Sequence, residues 1–231
     1  NAIAKFAKAE IIACEIDIEE IKNIAGQQEK LLKNEYSQKD AGLEVKVAGS
    51  KENTGRNVKA LDNESTKKVI SALAVLPNGV CKMSDDIEGL VQTSLNLGVV
   101  TQHEDLVKLC YSVRSSIDSE KDFLIDRMNI YMDILGGKCE VSGEYPAWEY
   151  VKESHLRDIM SESYERLFGR KPTVETIHAG VECGIIADKI GGLDCVSFGP
   201  DIKDIHTTKE KLSISSTQRT WKLILDVLSR I

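Results

Sequence analysis

The sequence has no CxxC pair, no HExxH, no dense stripe of Lys and Arg, and no apolar run near the roughly 20 residues that span a bilayer. Each absence closes off a class of function. An acidic chain, with formal net charge −7 and no basic stripe, binds nucleic acid and anionic membrane surfaces poorly. The missing apolar run argues against a helical membrane span. Without CxxC, the six cysteines at positions 14, 81, 110, 139, 183 and 195 lack zinc-knuckle spacing. They read as reduced, mostly buried thiols of a cytoplasmic protein. Without HExxH there is no short route to a catalytic zinc, which needs about three protein ligands. No Met, basic region or signal-peptide core opens the sequence at Asn1-Ala2-Ile3, so it reads as an internal fragment of a longer chain.

What is present is ordinary for a soluble globular protein: 231 residues, 42% hydrophobic and 29% charged. That length allows one large domain or two small ones. Periodicity predicts a helix over residues 17–32, capped by Asp17 and Glu20, with Ile18, Ile21, Ala25 and Leu32 on one face. Leu43, Val45 and Val47 alternate and predict a strand, followed by a polar loop over residues 49–60. Ser65 is expected to cap a second helix carrying Val69, Ile70, Leu73 and Leu76, stopped by Pro77. Alternation returns from Leu106 to Val113, with Val107, Leu109, Tyr111 and Val113 on one face and Lys108, Cys110, Ser112 and Arg114 on the other. A helix capped by Ser119 and ended by Gly136-Gly137 should follow, then a strand starting at Cys139. Asn1-Ala2-Ile3 and Asn96-Leu97-Gly98-Val99 each head a strand–helix–strand run, a weak repeat about 95 residues apart. Such a unit used twice predicts an antiparallel sheet with helices on one face.

The composition breaks near Gly143-Glu144-Tyr145-Pro146, and the pattern becomes α/β. Ser154 begins a helix with Leu156, Ile159, Met160, Tyr164, Leu167 and Phe168 inward. Strands are expected over residues 174–177 and 194–198, and a short helix over 181–190. Ser215 and Gln218 predict a capping box for a last helix, with Trp221, Ile224, Leu225, Leu228 and Ile231 on one face. The fold class is therefore α/β in two domains: residues 1–144 as an α+β domain, and residues 145–231 as an α/β domain. The second holds too few strands for a complete doubly wound sheet and too few residues for a thick core.

Residues 177–206 pack a strand end, a Gly-rich turn, a strand and a His-bearing loop into one rim-like stretch. His206, after Gly199-Pro200-Asp201, is placed as a metal ligand or a base, or else as a solvent-facing loop histidine. Gly180 and Gly184 either let backbone amides approach an anion or serve helix packing. His178 reads as a hydrogen-bonded supporting group, and nothing marks Cys183 as a nucleophile. Arg114 is either a fork for a substrate carboxylate or half of a surface ion pair. Asn1 and Asn96 either donate amide hydrogen bonds to a ligand or make turns. Trp148 reads as packing at the domain junction, and His103 and His155 as surface residues.

Several motifs, in order along nearly the whole chain, resemble the aminoacyl-histidine dipeptidases, also called Xaa-His dipeptidases. They are Leu76-Pro77-Asn78-Gly79-Val80, Thr93-Ser94-Leu95-Asn96-Leu97-Gly98-Val99-Val100, Val113-Arg114-Ser115, Tyr145-Pro146-Ala147-Trp148, Ile177-His178-Ala179-Gly180-Val181-Glu182-Cys183-Gly184 and Ser197-Phe198-Gly199-Pro200. These are co-catalytic zinc exopeptidases, related to carnosinase, aminoacylase and glutamate carboxypeptidase. The resemblance implies an incomplete lid domain, residues 1–144, and the C-terminal part of the catalytic domain, residues 145–231. It implies hydrolysis of Xaa-His and related dipeptides by a zinc-activated water, with two divalent ions, cobalt or manganese standing as alternatives to zinc. A zinc deacylase of N-acyl amino acids and a non-catalytic self-association module are the rival readings.

By the same resemblance His206 is a metal ligand. Arg114, Asn1, Asn96, Glu182 and Gly184 are substrate-binding, and Ala4 stands where the family has Pro. No catalytic residue falls within this sequence: the general base and the other metal ligands belong upstream of it. The resemblance further implies a dipeptide substrate, a homodimer formed through the lid, and a fragment inactive by itself.

Overall fold

A computed structural model describes residues 4–49, 59–103, 105–176 and 182–231. Contacts separate Lys5–Ile70 as one unit from a second that holds Ser71–Ile231. Asn1 and the turn from Ile177 to Val181, with His178 and Gly180, lie outside the described residues, as does most of the expected loop over residues 49–60.

In the first unit, α1 (Glu15–Glu35) carries the expected row of half-buried Ile18, Ile21, Ala25 and Leu32. Its N-cap is Cys14, which makes no side-chain cap bond. Asp17 lies inside the first turn, where a carboxylate faces the positive end of the helix dipole. Leu43 and Val45 are half-buried and Glu44 between them is exposed, yet residues 43–49 form no strand. Alternation reports only that one face is covered, whereas a strand also needs a neighbour for its N–H and C=O groups. The neighbouring Glu29 carboxylate is held below its usual range, first by Lys33. α2 (Asn63–Val75), whose last turns belong to the second unit, starts two residues before the expected Ser65. Asp62 caps it, accepting the Ser65 N–H at 2.7 Å.

The second unit is built on a three-stranded antiparallel sheet in the order β1 (Gly79–Met83), β2 (Val91–His103), β3 (Leu106–Ser115). Antiparallel strands and helices together give the α/β class expected from the sequence. Leu95, 1% exposed, is the centre of a cluster with Ala72, Leu76, Leu124 and Met128. Leu109, Tyr111 and Val113 pack against it, on the face their alternation predicts. α3 (Asp118–Leu135) lies against β3 and ends at Gly136, whose φ of 73° is the left-handed cap that glycine adopts readily.

β1 and most of β2 lack a readable alternation in the sequence, and the register shows why. Leu97 faces Tyr111 and Val99 faces Cys110, so Gly98 is one extra residue bulged out of β2. The bulge breaks the two-residue period by which a strand is recognised. Residues 139–141 form no strand either; Cys139 packs against the core from an irregular segment. The strand–helix–strand repeat is therefore absent from the described residues. Ser119 sits inside α3, and the cap position is Ile117.

α4 (His155–Phe168) begins at Ser154, whose hydroxyl accepts the Arg157 N–H at 3.1 Å, and ends at Gly169, as expected. α5 (Glu182–Lys189) follows, then the short hairpin of β4 (Ile202–Lys203) and β5 (Lys211–Leu212), then α6 (Ile214–Leu228). A second cluster joins Ile159 and Met160 to Leu223 and Val227. Residues 174–176 and 194–198 are not strands, and only Cys195 and Val196 of the latter are half-buried. α6 turns Leu223 and Val227 inward, whereas Trp221, Leu225 and Leu228, expected in the core, are exposed. It is apolar on two sides, so periodicity alone does not choose between them. Its cap is Ser213, accepting the Ser216 N–H, not Ser215.

Leu95→Ala should cost about 2–5 kcal/mol, since a fully packed site collapses little around a cavity. Urea unfolding of the whole chain checks this; a loss under about 1 kcal/mol would mean the sheet does not rest on Leu95.

Candidate functional site

β2 and β3 bring two of the candidate residues together. Ser94 pairs with Arg114 and Asn96 with Ser112. Paired residues share a face, so Asn96 and Arg114 are diagonal neighbours on the face opposite Leu95, a spacing of about 7–8 Å. Arg114 is half-buried and makes no ion pair among the described residues. An amide beside a guanidinium is chemically suited to a carboxylate next to a peptide group. Asn78, in the Leu76–Val80 motif, supports the same strand: its Oδ1 accepts the Leu97 N–H at 2.8 Å, next to the bulge.

The Tyr145-Pro146-Ala147-Trp148 motif is fastened on two sides. Asp118, at the start of α3, accepts the Ala147 N–H at 3.0 Å and the Lys121 ammonium at 2.9 Å. Lys121 also donates to the Tyr145 carbonyl at 3.1 Å and pairs with Glu144. Burial works against the charge of Asp118, yet Lys121 and the Ala147 amide outweigh it and hold the carboxyl below its usual range. On the other side, a Cβ on Gly184 would stand 3.2 Å from both the Pro146 carbonyl oxygen and the Trp148 Cβ. Gly184 thus lets α5 approach residues 146–148 closely, a packing requirement present whatever its amide does. Glu182, in the first turn of α5, is exposed. Trp148 lines a cavity of 650 Å3 shared with Tyr164, Phe168, Cys195, Phe198 and Leu223.

His206 lies in the turn between β4 and β5. The hairpin is tied to the start of α6, because the Asp201 N–H donates to Ser216 Oγ at 2.9 Å and the Ser213 N–H to the Asp201 carbonyl at 3.0 Å. His206 is exposed, with its N–H donated to Glu210 Oε2 at 2.9 Å. Its φ of 63° and the 52° of Asp204 are the positive values among described non-glycine residues. Such backbone conformations carry strain and are enriched at functional turns. The described residues do not complete a metal site: no group of three His, Cys, Asp or Glu side chains is placed to hold an ion. One imidazole does not bind a catalytic zinc by itself.

Asp194 holds a tie that nothing in the sequence around it signals. Ser154 donates to its Oδ1 at 2.6 Å, and the Leu156 N–H donates to its Oδ2 at 2.9 Å. It buckles the segment after α5 to the first turn of α4. No local pattern marks it, because its partners are about 40 residues away in sequence.

No protein-family model matches the chain. The fold is one found in solved peptidases. It superposes over 71% of the chain on 44% of aminopeptidase PepT from Bacillus cereus, with TM-score 0.56 and 20% identity, a likeness of fold alone.

The particular likeness is to dipeptidases. The chain matches the aminoacylhistidine dipeptidase of Vibrio alginolyticus over 94% of its own residues and 43% of that chain, with TM-score 0.81 and 32% identity. Over all 231 residues it is 33% identical to the cytosol non-specific dipeptidase of Escherichia coli (strain K12), of which it covers 47%. The chain resembles these dipeptidases in sequence and in fold, and spans about half the length of the relatives it matches.

The Asp194 buckle makes a pH prediction. Its hydrogen bonds from Ser154 and Leu156 hold the carboxyl below the usual range. The buckle therefore contributes fully above the unfolded value of about 3.9 and is lost as pH falls through the lower folded value. Urea midpoints between pH 6 and 3 should fall less steeply for Asp194→Asn than for the parent; parallel curves would show that the buckle carries no pH-linked stability.

Proposed function

We propose that the polypeptide carrying this chain is a metal-dependent dipeptidase acting on Xaa-His and related dipeptides. The observation that carries the reading is similarity to two dipeptidases along the chain, about a third identical in each case. Asn96 and Arg114 on one sheet face support it. In this reading Arg114 forks onto the substrate carboxylate, and Asn96 and Asn1 hydrogen-bond its amide groups. Glu182 and Gly184 border the substrate at the start of α5. Residues 1–144 form the lid and residues 145–231 the C-terminal part of the catalytic domain. Within the unit Ser71–Ile231, two separate clusters, one drawn from residues 72–139 and one from 156–227, support a boundary near residue 144.

His206 is one metal ligand in this proposal, and the remaining ligands and the general base belong to the part of the enzyme that this chain does not span. Two divalent ions, zinc or alternatively cobalt or manganese, supply Lewis-acid and water-activating chemistry when bound. The cytosolic relative supports placement in the cytosol. No helix among the described residues is long and apolar enough to cross a membrane. Self-association through the lid as a homodimer belongs to the same proposal.

The complete gene product, assayed with zinc on Xaa-His dipeptides and on N-acyl amino acids, should hydrolyse the dipeptides and lose that activity to a chelator. Hydrolysis of N-acyl amino acids alone would move the assignment to a deacylase. No hydrolysis of either by folded, metal-loaded protein would overturn it. Within the active protein, Arg114→Ala should raise KM for dipeptides about 10- to 100-fold, the loss of a charge-assisted hydrogen bond. Arg114→Lys should restore little, because a point charge does not reproduce the fork. An unchanged KM would remove Arg114 from the substrate site.

A further inference from the structure

The ladder between β1 and β2 stops at Gly79 opposite Leu95. Gly79 opens β1 with a φ of 97°, a left-handed value that glycine adopts readily. The backbone before it, running from the end of α2 through Pro77, does not continue the strand. Successive N–H groups of a strand point to alternate edges. The Leu97 N–H therefore faces the β1 edge, past the last ladder pair, and there the Asn78 side chain accepts it through Oδ1 at 2.8 Å. On the other edge Leu97 faces Tyr111, and the Gly98 bulge follows at once. The peptide between Asn96 and Leu97 thus sits where one ladder has ended and the other is interrupted. Bulges re-aim the side chains beside them, and an aim set at the end of a ladder needs a further hold. We propose that Asn78 is a positioning residue: by clamping the Leu97 N–H it fixes the direction in which Asn96 is presented, beside Arg114, to a peptide substrate.

The inference rests on the reading of Asn96 as a substrate contact, and it separates two roles that Asn78 could play. Asn78 is exposed and its bond to Leu97 lies at the surface. Water replaces such a bond when it is lost, so the fold is weakened little. A misaimed Asn96 is not replaced in that way, because an amide turned aside leaves a polar group of the bound substrate unpaired. A residue that holds only the fold acts on unfolding and not on KM. A residue that holds Asn96 acts on KM and hardly on unfolding. Asp at position 78 keeps an accepting oxygen at the same reach, and at an exposed position its charge stays in water.

The test uses the complete zinc-loaded gene product with the dipeptide Ala-His as substrate. Asn78→Ala should raise KM about 3- to 10-fold, the weight of one neutral hydrogen bond or part of it, with kcat and the urea midpoint close to the parent's. Exchange of the Leu97 amide proton should quicken in the same variant. Asn78→Asp should recover most of the KM. Asn78→Ser, whose hydroxyl stops one bond short of Oδ1, gives the same readings where the Ala variant does not fold. Asn96→Ala should itself raise KM, and adding Asn78→Ala to it should change nothing further, since the group being aimed is gone. A KM that rises for Asn96→Ala but not for Asn78→Ala, or effects of the two that multiply, would overturn the role of Asn78 alone. An unchanged KM for Asn96→Ala in active protein would remove Asn96 from the substrate site, and this proposal with it.

Discussion

The arrangement of the second unit depends on how residues 145–148 are held. On one side Asp118 and Lys121 grip the backbone at Tyr145 and Ala147. On the other, the missing side chain of Gly184 admits Pro146 and Trp148 at van der Waals distance from α5. A short irregular segment thereby becomes the joint between α3, which backs the sheet, and α5. The grip is charge-assisted and partly buried, the setting in which hydrogen bonds contribute most. Little apolar area is involved, so direction comes from polar contacts and closeness from glycine.

The same economy recurs downstream. α4 and α6 share a small apolar cluster around Ile159 and Leu223, and polar ties set what leaves them. Asp194 reaches Ser154 and the Leu156 amide, and Asp201 binds Ser216 at the start of α6. Arg230 donates to fully buried Ser163 and to the Ile159 carbonyl, which ties the chain end to α4. The hairpin bearing His206 is therefore positioned by hydrogen bonds to a helix start, not by a sheet. That fits its exposure and its left-handed backbone, both tolerable where no strand neighbour must be matched.

The candidate site was readable to different depths. Arg114 and its face were legible, because β3 alternates cleanly and its apolar side packs on the Leu95 cluster. Asn96 was legible as a residue type in a motif, but not as a neighbour of Arg114, since the Gly98 bulge hid its strand. Gly184 was marked by type alone; that its backbone faces residues 146–148 is a fact of packing. His206 was marked by the loop after Gly-Pro, while its hairpin and its tie to Glu210 were not. The clasp of Asp118 and the buckle of Asp194 left no trace, because a carboxylate that caps a distant segment looks the same in sequence as a solvated one.

By itself the sequence determined the helices and the turns that end them. Helix periodicity, Ser154 as a cap and Gly136 and Gly169 as stops are local properties, decided within a few residues. It determined the acidic charge and the run of motifs that resembles dipeptidases. Only the tertiary structure decided which alternating segments became strands: residues 106–115 found a partner in β2, and residues 43–47 found none among the described residues. It also decided which side of α6 is buried. Strand pairing and burial are properties of the surface a segment meets, and that surface comes from residues far away in the chain.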